Sequence, residues 1–130
     1  MDSEIKEYQK RRDAVNHVTV MFKKSKVLEA GNYQHALLME DSLLWTNMIL
    51  HGATFKNIDD YLVYVRTGAD MFKRRGGLKY FKKYKNGRKI ILQTGYISKW
   101  DYYYTLLVQL IFSILPNSVR EFVYEKLLRS

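Results

Sequence analysis

The chain has 130 residues, 47% of them hydrophobic, which is typical of one globular domain with a modest core. It contains no cysteine, and this excludes a disulfide framework, a thiolate zinc site and a cysteine nucleophile. The formal net charge of +9 is concentrated, because ten of the 22 Lys and Arg residues and none of the 13 acids lie in residues 71–100. This cationic segment should attract phosphate groups on a nucleotide, a lipid or a nucleic acid.

The first third of the chain carries two helix signals and one strand signal. Residues 2–14 predict a polar, exposed helix, and their charges interrupt the apolar core that a signal peptide needs. Residues 18–22 are β-branched and aromatic, which predicts a strand. Ser25 is placed to cap a short helix over residues 26–30 that ends at Gly31.

Two adjacent acids begin the next helix. Leu43, Leu44 and Met48 recur at helical spacing, which predicts a helix from about residue 39 to residue 51. Glu40 and Asp41 fall in its first turn, where the helix dipole stabilises negative charge. Two interpretations follow: helix-starting acids, or a carboxylate that accepts the proton of a substrate hydroxyl while its neighbour holds it in place.

The middle of the chain predicts two further strands. Residues 54–58 form one, and residues 61–67 form the other, in which side chains alternate between two faces. Residues 67–70, which include Gly68, predict a turn, and Gly76-Gly77 breaks the chain again.

The residue pattern in the last third of the chain predicts helices. Residues 78–93 predict a basic helix in which Gly87 permits a kink or a break. Ser98 and Asp101 have the spacing of a capping box at the start of a helix that runs to Leu115, before Pro116. Residues 118–128 predict a final amphipathic helix.

Several short motifs occur in an order that resembles a known family. They are Asn16-His17-Val18-Thr19-Val20-Met21-Phe22, Lys23-Lys24-Ser25, Leu28-Glu29-Ala30-Gly31-Asn32-Tyr33, Glu40-Asp41-Ser42-Leu43-Leu44-Trp45, Gly52-Ala53, Asn57-Ile58, Leu62-Val63-Tyr64-Val65-Arg66, Arg74-Arg75-Gly76-Gly77 and Leu115-Pro116-Asn117. Through them the chain resembles the C-terminal half of a family 2 glycosyltransferase of the GT-A fold, the type that builds bacterial surface polysaccharides.

The resemblance implies a fold and a division of the chain. The fold class expected is α+β, a fragment of an α/β GT-A fold that is mainly helical with a small sheet of about three strands. Residues 1–98 are expected to form the acceptor-side half that carries the catalytic base. Residues 99–130 are expected to form C-terminal amphipathic helices.

The resemblance also implies an active site. It places the catalytic base on Asp41, with Glu40 as an orienting neighbour. Trp45, one helical turn from Asp41, either stacks on a sugar or belongs to the core. His17 either borders the acceptor site or is a structural histidine. The arginines Arg66, Arg74 and Arg75 either lie near the donor diphosphate or are solvated cations.

A metal site is not expected in this chain. The Asp-x-Asp metal motif of the family belongs to its N-terminal half, and no Asp-x-Asp occurs here. Many relatives carry a histidine two residues after the strand arginine, where this chain has Gly68. A divalent cation, Mg²⁺ or Mn²⁺, is therefore expected only for the full-length enzyme, and this chain alone is expected to be inactive.

The partners implied are a nucleotide-sugar donor and a saccharide or lipid-linked acceptor, at a cytoplasmic location or peripherally at the inner face of the cell membrane. An alternative is a membrane-surface or protein-interaction module without catalysis, because basic residues, aromatic residues and amphipathic helices suit an interface. Nucleic-acid binding is disfavoured, since no motif for it accompanies the charge. Unpaired strand edges would favour self-association.

Overall fold

The computed structural model describes residues 1–66 and 74–127, so the turn predicted over residues 67–70, with Gly68, lies outside the described residues. Its helices are α1 (Asp2–Gln9), a 3-10 helix (His17–Thr19), α2 (Lys24–Glu29), α3 (Glu40–Leu50), α4 (Gly77–Gln93), α5 (Lys99–Ile114) and α6 (Asn117–Leu127). The described part of the chain is therefore a helical assembly.

The predicted α+β class with a three-stranded sheet is wrong, since residues 1–66 and 74–127 contain no strand. The first predicted strand begins inside the 3-10 helix His17–Thr19. Residues 61–66 are exposed along their whole length and have no regular secondary structure. The alternation of side chains is a property of one segment alone. A stable sheet also needs neighbouring strands that supply backbone hydrogen bonds, and alternation does not indicate whether they are present.

The helix predictions were largely confirmed, because helix ends carry local signals. In α5, the Asp101 backbone N–H donates to Ser98 Oγ (3.1 Å) and the Ser98 N–H donates to Asp101 Oδ2 (3.1 Å), which completes the capping box. Helix α3 lies within one residue of the predicted bounds. Ser25 was predicted wrongly as a cap, since it lies inside α2 and Lys23 precedes the first turn.

Two apolar clusters meet at α3, which is therefore buried through its middle from Ser42 to Met48. One cluster contains Ala36, Met39, Leu43, Ile91, Ile97, Tyr102 and Leu106. The other contains Val27, Ala30, Leu44, Trp45, Met48 and Ala53. Because α3 contributes to both clusters, its middle is packed on two sides, directly after the first turn with Glu40 and Asp41.

Helix α1 packs against this core, and the prediction of an exposed helix was wrong for one of its faces. Ile5 and Gln9 are buried. Gln9 Nε2 donates to Ser42 Oγ on α3 (3.2 Å), and Gln9 Oε1 accepts from the Ala14 backbone N–H (2.8 Å). A buried amide with partners on two elements joins the N-terminal segment to α3.

The segment after α1 is tied to the two long helices by arginines. Arg11 Nε donates to Asp101 Oδ1 (2.8 Å), and the buried Arg88 donates from Nη2 to the Lys10 carbonyl (2.7 Å). Although burial opposes ionisation, hydrogen bonds from Ser98 and Arg11 hold the pKa of Asp101 below its usual value. These contacts fix residues 10–16, which lead directly to the 3-10 helix.

Helix α4 passes close to the turn before α3, and Gly87 makes this approach possible. The helix is continuous through Gly87. A Cβ atom at Gly87 would lie 2.6 Å from Met39 Cγ and 2.8 Å from the Ala36 carbonyl oxygen. The absence of a side chain at Gly87 therefore sets the position of the turn from which α3 begins.

We expect Gly87→Ala to lower the free energy of unfolding by up to about 2 kcal/mol, because an overpacking cost of about 1–3 kcal/mol is offset in part by the helix propensity of about 1 kcal/mol that alanine adds. The measurement is the urea midpoint of this chain, monitored by circular dichroism. Asn86→Ala, at an exposed position of the same helix, is the matched control and should leave the midpoint unchanged or raise it. If Gly87→Ala is as stable as the unchanged protein or more stable, the turn before α3 moves away from the added methyl group at no cost in stability.

Candidate active site

The first turn of α3 presents an acidic pair at the edge of the core. Glu40 and Asp41 occupy this turn, and their side chains are 38% and 47% exposed. From Ser42 onward the helix is buried. Asp41 thus carries a carboxylate that solvent or a substrate can reach, directly before the buried part of the helix.

His17 lies beside Asp41. The 3-10 helix that carries His17 begins at Asn16, whose side chain accepts from the Val18 backbone N–H (3.4 Å). His17 Nδ1 is 3.6 Å from Asp41 Oδ2, which is an electrostatic contact rather than a hydrogen bond. The sequence predicted roles for both residues, and the structure brings them together.

Tyr33 completes a row of three polar side chains, and sequence reasoning missed its role. The Tyr33 hydroxyl is 2.8 Å from His17 Nε2. A neutral imidazole with its proton on Nδ1 would face Asp41 and accept the Tyr33 proton at Nε2. Desolvation and the charge of Asp41 raise the pKa of the Tyr33 hydroxyl above its usual value.

The chain reaches this position through a left-handed turn after α2. Gly31 and Asn32 have φ values of +87° and +63°, which direct the following residue back towards the 3-10 helix. The pair Gly31-Asn32 signals the turn in the sequence. No spacing in the sequence indicates which side chain the turn places against His17.

Trp45 lies beneath this row, in the core. Its exposed fraction is 0%, and its ring centroid lies 6.2 Å from that of His17 and 6.1 Å from that of Phe22. Of the two interpretations that the sequence left open, the structure shows the core position. Trp45 supports the ring of His17 and does not offer a face to a sugar in this structure.

A cationic basin of about 610 Å³ lies near the start of α4. It is lined by Leu38, Arg74, Arg75, Gly76, Lys79, Tyr80 and Lys83. Leu38 belongs to the turn that precedes the acidic pair, so the basin adjoins the segment that leads into α3. The basin therefore collects four cations, including two of the three arginines predicted as substrate-binding residues.

Arg66, the third of these arginines, is exposed and does not line the basin. The structure therefore groups Arg74 and Arg75 in one depression but places Arg66 outside its lining.

Arg120 of α6 lies next to Gly76, which lines the basin. Arg120 is buried and donates from Nε to the Phe112 carbonyl (3.1 Å) and from Nη2 to the Leu115 carbonyl (2.8 Å), at the end of α5. A Cβ atom at Gly76 would lie 1.9 Å from Arg120 Nη1, so this guanidinium lies against Gly76, one of the residues that line the basin. Arg120 thus links the end of α5 to the loop that carries Arg75.

Within residues 1–66 and 74–127, no three His, Asp or Glu side chains converge closely enough to hold a metal ion. Over the same residues, no helix is both long enough and apolar enough to span a bilayer.

Curated proteins from three bacteria are similar to this chain along almost its whole length. The amylovoran biosynthesis glycosyltransferase AmsE of Erwinia amylovora is 35% identical over 128 residues, which are 96% of the chain and 47% of that protein. The UDP-Gal:alpha-D-GlcNAc-diphosphoundecaprenol beta-1,3-galactosyltransferase of Escherichia coli is 33% identical over 125 residues, 96% of the chain and 46% of that protein. An uncharacterised glycosyltransferase of Haemophilus influenzae is 31% identical over 126 residues, 97% of the chain and 46% of that protein.

These relatives are glycosyltransferases. The chain spans about half the length of the curated relatives it matches. No protein-family model matches the chain, and no solved structure matches it either. The resemblance to glycosyltransferases that the motifs indicated is thus confirmed at the level of sequence similarity.

Proposed function

We propose that this chain is the acceptor-side, C-terminal part of an inverting family 2 (GT-A) glycosyltransferase that acts in cell-surface polysaccharide synthesis, with Asp41 as its catalytic base. The observation that carries the proposal is the half-exposed Asp41 carboxylate, 3.6 Å from His17, on a helix whose next residues are buried. The similarity to glycosyltransferases, one of them in amylovoran biosynthesis, supports the same conclusion.

The proposed reaction is a single displacement. The oxygen of an acceptor hydroxyl forms a bond to the anomeric carbon of the donor sugar, while the bond from that carbon to the nucleoside diphosphate breaks. The leaving diphosphate takes the electron pair, and Asp41 takes the hydroxyl proton. One displacement inverts the anomeric configuration.

His17 and Tyr33 position the base in this scheme. His17 lies beside one carboxylate oxygen of Asp41, at 3.6 Å from Nδ1, and the other oxygen is the one proposed to meet the acceptor hydroxyl. Tyr33 supports the His17 ring through the 2.8 Å hydrogen bond between its hydroxyl and Nε2, in which Tyr33 is the donor if the His17 proton is on Nδ1. Glu40 faces His35, whose Nδ1 is 3.8 Å from Glu40 Oε1, and serves as the orienting neighbour.

The cationic basin suits a diphosphate. Arginine and lysine side chains pair well with phosphate oxygens, and all four charged residues of the lining are cations. Because the Escherichia coli relative is named for UDP-Gal and a diphosphoundecaprenol acceptor, both substrates of that protein carry a diphosphate. We propose that the basin of this chain binds the diphosphate of a nucleotide-sugar donor or of a lipid-linked acceptor.

We expect the double change Arg75→Gln and Lys79→Gln to weaken the binding of inorganic pyrophosphate to this chain by roughly tenfold or more, because each lost charge-assisted hydrogen bond is worth about 1.5–3 kcal/mol. Isothermal titration calorimetry at low salt measures the change. Lys85→Gln with Lys89→Gln, at exposed positions of α4 outside the basin lining, is the matched control. Equal weakening by both double variants would show diffuse attraction rather than a basin site.

The donor sugar requires residues beyond this chain in the proposed enzyme. The Mg²⁺ or Mn²⁺ expected for the full-length enzyme is proposed to bind in the nucleotide-binding half, because the Asp-x-Asp motif expected to hold it does not occur in this sequence. The substrates proposed are a nucleotide sugar and a saccharide or lipid-linked acceptor, at a cytoplasmic or peripheral membrane location.

The test is a transfer assay with two proteins. This chain alone should transfer no sugar from nucleotide sugars to a synthetic lipid-diphosphate acceptor. A polypeptide that joins it to a nucleotide-binding half with an Asp-x-Asp motif should form a product of inverted configuration. Turnover by the chain alone, or a product of retained configuration, would contradict the proposal.

A further inference from the structure

Gln9 is a polar side chain at a fully buried position of α1. Its exposed fraction is 1%, and it lies one helical turn after Ile5, which is buried on the same face of the helix. An apolar side chain at position 9 would be buried without needing any hydrogen bond. A buried amide, in contrast, costs free energy unless its donor and its acceptor are both paired. The packing of α1 alone therefore does not account for a glutamine here.

Both ends of the Gln9 amide are paired, and the two partners fix its orientation. Oε1 accepts from the Ala14 backbone N–H (2.8 Å), and Nε2 donates to Ser42 Oγ (3.2 Å). Since a backbone N–H can only donate, Oε1 must face Ala14, and this leaves Nε2 for Ser42. An apolar side chain of similar size could fill the same space but would bind neither partner.

The two partners of Gln9 belong to the two segments that form the candidate site. Ser42 directly follows Asp41 on α3 and is itself buried. Ala14 lies three residues before His17. The amide thus joins the segment that carries Asp41 to the segment that carries His17, and Asp41 Oδ2 is 3.6 Å from His17 Nδ1.

The residues between Ala14 and His17 are anchored as well. Val15 is partly buried and packs against the apolar cluster that contains Trp45. The Asn16 side chain caps the 3-10 helix that begins at His17. The connection from the Gln9 amide to the imidazole therefore runs through anchored residues and not through a free loop.

Other contacts hold the start of this segment independently of the Gln9 amide. Arg88 Nη2 donates to the Lys10 carbonyl (2.7 Å), and Arg11 Nε donates to Asp101 Oδ1 (2.8 Å). Because these contacts remain when Gln9 is changed, loss of the amide should loosen the residues that follow without unfolding the chain.

We propose that Gln9 is a positioning residue of the candidate active site, whose amide sets the separation between the His17 imidazole and the Asp41 carboxylate. Because Gln9 is buried, it acts through Ser42 and Ala14 and not by contact with a substrate. Its effect on turnover rests on the proposed function, in which Asp41 is the base. Its effect on the place of His17 does not, so the two effects can be measured separately.

The first experiment is NMR spectroscopy of this chain with Gln9→Met, which keeps the size of the side chain and removes both hydrogen bonds. In the unchanged protein, the ring protons of His17 should show nuclear Overhauser contacts with Tyr33 and Trp45, whose ring centroids lie 5.9 Å and 6.2 Å from that of His17. These contacts should be lost in Gln9→Met, while the circular dichroism spectrum stays that of the folded chain.

Ile5→Val is the matched control, because it removes a buried methyl group from the same face of α1 and changes neither hydrogen bond. Its contacts from His17 should remain. Ser42→Ala removes the other end of the link between the two segments, so it should weaken the same contacts. This second variant carries the test if Gln9→Met does not fold.

The second experiment measures kinetics in a polypeptide that joins this chain to a nucleotide-binding half. Gln9→Met should lower kcat by roughly ten- to a hundredfold and leave KM within about twofold, because a displaced catalytic group costs rate rather than substrate binding. Ser42→Ala should add little to this loss in the double variant, since the two residues act through one contact. Ile5→Val should keep both constants.

Two results would show that Gln9 only packs α1. They are unchanged contacts of His17 in a folded Gln9→Met, and the same loss of contacts in Ile5→Val. Failure of the proposed function looks different, since Asp41→Asn would then keep its turnover whatever the spectra of the Gln9 variant show. If Asp41→Asn is inactive while Gln9→Met keeps full kcat, Asp41 remains the base and the positioning role of Gln9 is wrong.

Discussion

We expect Asp41→Asn, in a polypeptide that joins this chain to a nucleotide-binding half, to lower kcat for glycosyl transfer by roughly 10²- to 10⁴-fold. The asparagine amide has the shape of the aspartate carboxylate, but it is too weak a base to take the proton of the acceptor hydroxyl. Since Asp41 is half-exposed and α3 is held by buried residues, the variant should fold normally. The measurements are kcat and KM under saturating donor and acceptor, with the thermal midpoint as a check on folding.

Glu40→Gln is the matched control for this prediction. Glu40 lies in the same helical turn and loses the same charge, but it faces His35 instead of His17. As an orienting neighbour it should cost much less turnover than Asp41. If the two variants lose the same activity, the negative charge of the turn matters and neither residue is a specific base. If Asp41→Asn keeps its turnover, the assignment of the base is wrong.

We expect Trp45→Ala to lower the free energy of unfolding by about 3–5 kcal/mol, because it removes the largest fully buried side chain described and leaves a cavity. The cavity lies between the rings of His17 and Phe22, so the position of His17 should loosen as well. Urea unfolding, followed by circular dichroism, measures the stability.

Two controls separate packing from other effects. Trp45→Phe should cost much less than Trp45→Ala, since the indole N–H of Trp45 has no hydrogen-bond acceptor among the residues that the structure describes. Trp100→Ala, at a 70% exposed position, should change the stability by no more than about 0.5 kcal/mol. A small effect of Trp45→Ala would mean that the core around α3 collapses readily and that Trp45 does not support His17.

The helices were predictable because the residues that determine where a helix begins and ends lie close together in the sequence. Ser98 and Asp101 cap α5 as their spacing indicates, and the predicted limits of α4 and α6 lie within one residue of those observed. Capping boxes and glycine breaks depend on residues three or four positions apart, so one sequence is enough to read them.

The strands were not predictable in the same way, since pairing depends on distant residues. The segment of residues 61–66 has the alternation of a strand but lies exposed and unpaired within the described chain. The burial of α1 was also missed, because it rests on the distant contacts of Gln9 with Ser42 and of Arg88 with Lys10. The division at residue 98 stays a prediction, although α4 and α5 share one apolar cluster across it.

The candidate site was predictable in part. The motifs singled out Asp41, His17 and Trp45, and the structure places these three side chains next to one another. The hydrogen bond between Tyr33 and His17 was missed because it follows from the left-handed turn at Gly31-Asn32 rather than from any spacing. The catalytic and substrate-binding roles themselves stay predictions.

The most direct measurement is a crystal structure of the joined polypeptide with an acceptor analogue and an unreactive donor. We predict the attacking hydroxyl within about 2.6–3.2 Å of an Asp41 carboxylate oxygen, with His17 on the other side of that carboxylate. An acceptor hydroxyl seated out of reach of Asp41, with that carboxylate surrounded by bulk water, would contradict it.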